Sequence, residues 1–333
     1  MNNYQFPSDT LVKTYQHDCV MQPFVSMHAV LTDDQFKQEN TMALPVALGY
    51  TLAGQVFMFD LAETNVLIGG ACGFGKTTAI RALIVSLLYK KRPDELKFVL
   101  MDPKVCDAAL FKSLGVHYLA AMEGTDSGKS IINDCDDAIK VLNALQQEKK
   151  NRFRLFMEAG VRNIVEYNEK FKEGVLDPSK EIEDGLKHHH LPYIVSIIDE
   201  YDDYMIQTKH KFDRYITRVA QLSKAVGMPV VISTQRPAVS VVTGIIKANF
   251  NTRIAFRTAS TYDSRAICDI GDALYLVHRG EFYYVDSNNV EHAQCAYIEG
   301  GEIEAIVSHI SSQNYIGTRY ELPIANEDVC VDE

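Results

Sequence analysis

The sequence has no apolar run approaching the ~18 residues that a membrane-spanning helix needs. Stretches such as "NVLIGGA" and "LIVSLL" are the size of a strand or part of a buried helix. The amino terminus, "MNNYQFPSDT", lacks the basic and apolar regions of a secretory leader. These absences lead us to expect a cytoplasmic chain with no membrane insertion. The seven cysteines, Cys19, Cys72, Cys106, Cys135, Cys268, Cys295 and Cys330, form no C-x-x-C pair. That argues against a zinc site or a disulfide framework and fits a reducing compartment. Internal repeats and low-complexity tracts are missing too, so nothing suggests a solenoid or a linker. An excess of positive charge is also lacking: 33 Lys and Arg stand against 44 Asp and Glu, a formal net charge of −11. The outer surface as a whole is thus not a nucleic-acid-binding one, but a basic channel inside an acidic particle stays open.

What is present is a globular composition, 47% hydrophobic over 333 residues, enough for one large core with a small appendage. Residues 1–43 show no clear periodicity and read as an N-terminal adaptor segment. Residues 44–315 alternate between buried strands ("NVLIGG", "LKFVLMD", "LPYIVSIIDE", "MPVVIST", "TRIAFRT") and helical stretches, notably Asp134 to Glu158 and "VSVVTGIIKAN". Such alternation predicts an α/β fold with a mostly parallel central sheet flanked by helices. "DALYLV", "EFYYV" and "EHAQCAYI" look like a short meander, followed by a last helix, "EIEAIVSHI". Residues 316–333 read as a C-terminal tail. The polar loop Glu173 to His190 ends in three adjacent histidines, expected to face solvent rather than to bind metal.

Gly70-Ala71-Cys72-Gly73-Phe74-Gly75-Lys76-Thr77 matches G-x-x-x-x-G-K-[ST] between a strand and a helix, with Thr78 following. Glycines there let successive backbone N–H groups converge on phosphate oxygens, while the helix start adds its positive dipole end. Lys76 is placed to reach the β- and γ-phosphates and the Thr77 hydroxyl to ligate Mg²⁺. The cofactors expected are therefore ATP and Mg²⁺. "YIVSIIDEYDD" supplies the complementary acids: Asp199 at a strand end for the metal, and Glu200 to orient and deprotonate the attacking water. Asp202 and Asp203 read as an exposed acidic start to the next helix. From Lys209 to Arg265 ten basic residues stand against two acids, a segregation that suits a channel facing a polyanion.

With these elements in order, the chain resembles the motor domain of the FtsK/SpoIIIE family of hexameric DNA translocases. The resemblance is carried by "GACGFGKT", "MDPK", "GVRNIVEYNEK", "LPYIVSIIDEYDD", "STQRP", "VVTGIIKANFNTRIAF", "DSR" and "GDALYL". It implies a RecA-like P-loop core that hydrolyses ATP and forms a homohexamer around double-stranded DNA. It also implies that Gln235 senses the γ-phosphate, and that Arg236, Lys247 and Arg265 touch the DNA backbone. Where the family sends an arginine into the neighbouring subunit's ATP site, this chain has Lys224, with Arg253 as the alternative. A lysine keeps the charge there but not the two-pronged hydrogen bonding. The sequence shows neither a membrane anchor before the motor nor room for a winged-helix module after Ile310. That suggests a motor for a plasmid, conjugative element or phage, brought to its task by a recruiting protein partner. Alternatives are a coupling or packaging ATPase that hands DNA to a partner complex, or a protein-secretion ATPase of the type VII kind.

Overall fold

The computed structural model describes residues 24–105, 107–122, 131–182, 184–209, 211–287, 289–315, 317 and 319–325. In chain order the strands are β1 (Pro45–Thr51), β2 (Val56–Asp60), β3 (Val66–Gly69), β4 (Leu96–Met101), β5 (Ala121–Met122) and β6 (Ile131–Ile132). They continue as β7 (Tyr193–Ile198), β8 (Val230–Thr234), β9 (Thr252–Phe256), β10 (Glu281–Val285), β11 (Val290–Cys295) and β12 (Glu321–Leu322). Among the described residues, ten of them form one sheet in the order β2-β1-β11-β10-β9-β3-β8-β7-β4-β6. From β9 to β6 every pairing is parallel. From β2 to β9 every pairing is antiparallel.

The apolar runs that mark the parallel strands hide an alternation. Val66 and Ile68 of β3 join one core, with Leu83 and Leu87 of the helix Lys76–Lys90, whereas Leu67 faces the other core. In β4, Phe98 and Leu100 go one way and Val99 and Met101 the other. Both faces are covered, so a period-two strand reads in sequence as uninterrupted hydrophobicity.

The second face is covered by the helix Cys135–Ala159, which starts where the Asp134 side chain accepts from the Asp136 and Asp137 amides and stops at left-handed Gly160. Two of its side chains grip the turn that follows the helix Phe212–Ala220. Lys149 Nζ donates to the carbonyls of Arg218 and Gln221, the latter at 2.8 Å. Fully buried Arg152 donates to the Val226 carbonyl at 2.8 Å and to Glu148 at 2.7 Å, and Tyr320 joins the same cluster. A charge buried so deeply is tolerable because its donors meet acceptors.

Several local expectations change. Residues 27–38, which the sequence assigns to the adaptor, form two short helices (Met27–Thr32 and Asp34–Gln38) whose Met27, Val30, Leu31 and Phe36 enter the first core. Of the expected meander, only β10 and β11 are strands. "DALY" is instead a 3₁₀ turn held by Ser264, whose hydroxyl accepts from the Ala273 amide at 3.2 Å. The helix before β9 is shorter than expected, Gly244–Asn249. His188, expected in solvent, is buried with its ring 3.0 Å from the Tyr167 hydroxyl, and desolvation lowers its pKa. Among the described residues no helix is long and apolar enough to cross a membrane.

Candidate active site

Three adjacent parallel strands, β3, β8 and β7, end at the same edge of the sheet and there release the glycine-rich loop, the "QRP" segment and the acidic pair. That edge, outside the carboxyl ends of parallel strands, is where open α/β sheets receive ligands.

The loop is held at both ends by neighbouring elements. The Ala71 amide donates to the Arg257 carbonyl at 2.7 Å, and the Gly280 amide donates to the Phe74 carbonyl at 3.0 Å. The Arg257 guanidinium lies 5.2 Å over the Phe74 ring. Gly70 and Gly75 adopt φ of 149° and 129°, and a Cβ at either would fall 2.8 or 2.7 Å from Phe256 atoms. Glycine is therefore required by both conformation and space. Gly70→Ala should lower stability by about 1–3 kcal/mol and weaken nucleotide binding. Thermal unfolding with and without an ATP analogue checks this, and an unchanged melting temperature would contradict the crowding.

Lys76, first residue of its helix, is buried and its Nζ donates to the Ala71 carbonyl at 3.2 Å. Desolvation lowers its pKa, opposed by the charges of Glu200, Cys72 and Asp199. Thr77 and Thr78 are half-buried, and Cys72 and Gly73 are exposed at the loop's tip. Beside the loop lies a cavity of about 300 Å³ lined by Gly73, Gly75 and Thr78 together with Phe24, Arg279 and Tyr297.

Asp199 follows β7 and accepts hydrogen bonds from the Ser233 hydroxyl and, at 3.0 Å, from the Glu200 amide. Burial raises its pKa, partly countered by the Ser233 bond. Glu200 has a left-handed backbone, φ 49°, a conformation that costs a non-glycine residue on the order of 1–3 kcal/mol. Its Oε1 pairs with Lys104 at 3.1 Å, and its buried Oε2 has no hydrogen-bond partner among the described residues. Desolvation raises its pKa against the pull of Lys104. Lys104 comes from the "MDPK" turn, where buried Asp102 accepts from the amides of Lys104, Asp107 and Ala108.

One reading of the sequence is overturned at this edge. Asp202 is not an exposed helix start: it is 0% exposed, accepting from Thr234 Oγ1 at 2.8 Å. Arg236 is exposed with its Nε 3.6 Å from Asp202 Oδ2, and Gln235 beside it is half-buried.

The other candidates lie apart. Lys224 is exposed in the turn before β8, where the Gly227 carbonyl accepts from the Ile194 amide near the start of β7. It therefore sits at the opposite end of the strands from the loop. Arg253, near the start of β9, pairs with Asp269, as does Lys247 at 2.6 Å. Lys247 Nζ also donates to the carbonyl of exposed Arg265 at 3.1 Å, which brings those two residues together. The sequence reading did not single out Arg257, Gly280 or Ser233 for this site, although Ser233 lies inside "STQRP".

The chain is 39% identical over 302 residues to DNA translocase FtsK of Chlorobaculum tepidum, a match covering 90% of this chain and 35% of that protein. It is 34% identical over 292 residues to DNA translocase SpoIIIE of Bacillus subtilis, covering 87% and 35%. The chain thus spans about a third of the length of these relatives. Its fold is similar to that of the pCW3 conjugation coupling protein TcpA with ATPgS, at a TM-score of 0.65 and 24% identity, covering 88% of this chain and 75% of that one. The cytoplasmic domain of the type VII secretion ATPase EccC from Thermomonospora curvata matches at 0.69 and 16%, covering 91% and 36%. A model of the FtsK/SpoIIIE family matches residues 26–239, and the chain belongs to that family.

Proposed function

We propose that this chain is an ATP-hydrolysing motor that moves double-stranded DNA, working as a homohexameric ring with DNA in its central channel. The observation that carries the reading is the meeting of a phosphate loop, an Asp199–Glu200 pair and the Gln235–Arg236 segment at the ends of β3, β7 and β8. The relatives named DNA translocases support the choice of DNA as the substrate.

In this reading the loop amides and Lys76 hold the triphosphate, and the 300 Å³ cavity receives the base and ribose. The Thr77 hydroxyl and Asp199 carboxylate fit Mg²⁺, being hard oxygen donors that leave the remaining positions to phosphate and water. Bound there, the ion would neutralise charge on the β- and γ-phosphates. The free, buried Oε2 of Glu200 is the acceptor for the proton of the attacking water, and Gln235 holds the γ-phosphate without competing for the cation. Lys224, at the opposite end of the strands from this chain's own loop, is left to act on a neighbouring subunit, with Arg253 as the alternative. Arg236, Lys247 and Arg265 hold DNA phosphates, which position the duplex without reading its sequence.

The deciding experiment measures phosphate release with and without long duplex DNA across a salt series, followed by triplex displacement to detect movement. Hydrolysis indifferent to DNA at every salt concentration would sink the reading. Arg265→Ala should lower the DNA-stimulated rate more than the basal one. It should also flatten the salt dependence of DNA binding by about one unit of log–log slope. Equal loss of both rates would move Arg265 to the ATP site.

A further inference from the structure

We propose that Asp202 is the positioning residue through which a DNA contact made by Arg236 reaches Glu200; the inference rests on the function proposed above. Asp202 is 0% exposed. Its Oδ1 accepts from Thr234 Oγ1 at 2.8 Å. Its Oδ2 has no hydrogen-bond partner among the described residues, and its ion-pair partner is the guanidinium of Arg236, with Nε at 3.6 Å. Arg236 is tied to the same place a second time, because its amide donates to Thr234 Oγ1 at 3.1 Å. Its side chain nonetheless stays 62% exposed, free to meet an anion arriving from solvent.

The Arg236 contact to Asp202 is loose, at 3.6 Å, so a guanidinium that turns to a DNA phosphate gives it up readily. When a phosphate draws Arg236 away, Asp202 keeps a buried oxygen without a hydrogen bond and loses its ion-pair partner, which raises the cost of its charge. The relief is a shift of Asp202. That residue lies in the first turn of the helix Tyr201–Gln207, which begins directly after Glu200. Glu200 is the strained joint of this connection, left-handed and held at rest by Lys104 at 3.1 Å. Movement of Asp202 is therefore delivered to the carboxylate that must meet water. Two arrangements of one element, biased by two ligands, are what coupling between sites requires.

The test compares wild type, Asp202→Asn, Arg236→Ala and the double variant, using the full chain and a labelled long duplex. Phosphate release with and without DNA is read beside DNA affinity. Asp202→Asn should cut the ratio of stimulated to basal turnover by about fivefold or more. Its DNA affinity should hold or rise, because Arg236 loses a competing anion. The double variant should show no loss of stimulation beyond that of Arg236→Ala. Asp202→Ala, which leaves no unpaired amide, repeats the measurement should the asparagine variant misfold. Stimulation kept at the wild-type ratio overturns the proposal, as does parallel loss of affinity, basal rate and stimulation, the mark of a merely structural role. A wild type that DNA does not stimulate at all would bring down the translocase reading itself, and this inference with it.

Discussion

Lys76→Ala is expected to lower ATP turnover by about 10²–10³-fold, the loss typical of removing one preorganised donor to charge that develops in the transition state. In the structure Lys76 is buried, and its ammonium is engaged only by the Ala71 carbonyl at 3.2 Å among the hydrogen bonds seen. A carbonyl is a weak partner for a full charge, so the group is ready to exchange it for phosphate oxygen. Burial strengthens whatever it does next, since the same desolvation that lowers its pKa removes the water that would screen it. Steady-state phosphate release over a range of ATP concentrations checks the claim, and turnover within about threefold of wild type would remove Lys76 from the site.

Glu200→Gln should be as damaging to turnover, by about 10²–10⁴-fold, yet should leave ATP binding largely intact. The amide keeps the shape and still meets Lys104, but it has no basic oxygen to take a proton. The prediction depends on the left-handed backbone of Glu200, fixed by amide donation to Asp199 and Ser233, which aims the side chain independently of its charge. A single-turnover experiment with labelled ATP should find bound nucleotide that is not cleaved. Lost binding would instead assign Glu200 to holding the substrate.

The parts of the site that were legible in sequence are those whose chemistry is contiguous. The glycine spacing, Lys76 and Thr77 lie within one turn, and Asp199 ends a strand whose hydrophobicity announces it. What stayed hidden depends on partners distant in the chain. Asp202 sits among acids and reads as surface because its partners come from elsewhere in the chain, Thr234 from the end of β8 and Arg236 from the loop after it. His188 reads as solvent-facing until Tyr167 arrives from the preceding helix. The basic segment looks unopposed until Asp269, just past its end, takes both Lys247 and Arg253. Residues 44–315 showed their strands clearly because both sheet faces are buried, whereas the 3₁₀ turn at Asp272–Tyr275 is held by the Ser264 hydroxyl and the Thr258 amide, partners that no periodicity encodes.

The grip of Lys149 and Arg152 on the turn from Arg218 to Val226 has a mechanical consequence. At 1.5 Å per residue, the 25-residue helix that carries them is about 37 Å long, and it is stiff along its axis. Held through Lys149 and Arg152, the turn bearing Lys224 is braced against this helix and is not a slack loop. In the ring proposed above, rotation of one subunit against the next would then be passed through this brace to Lys224, whose flexible stem forms its end.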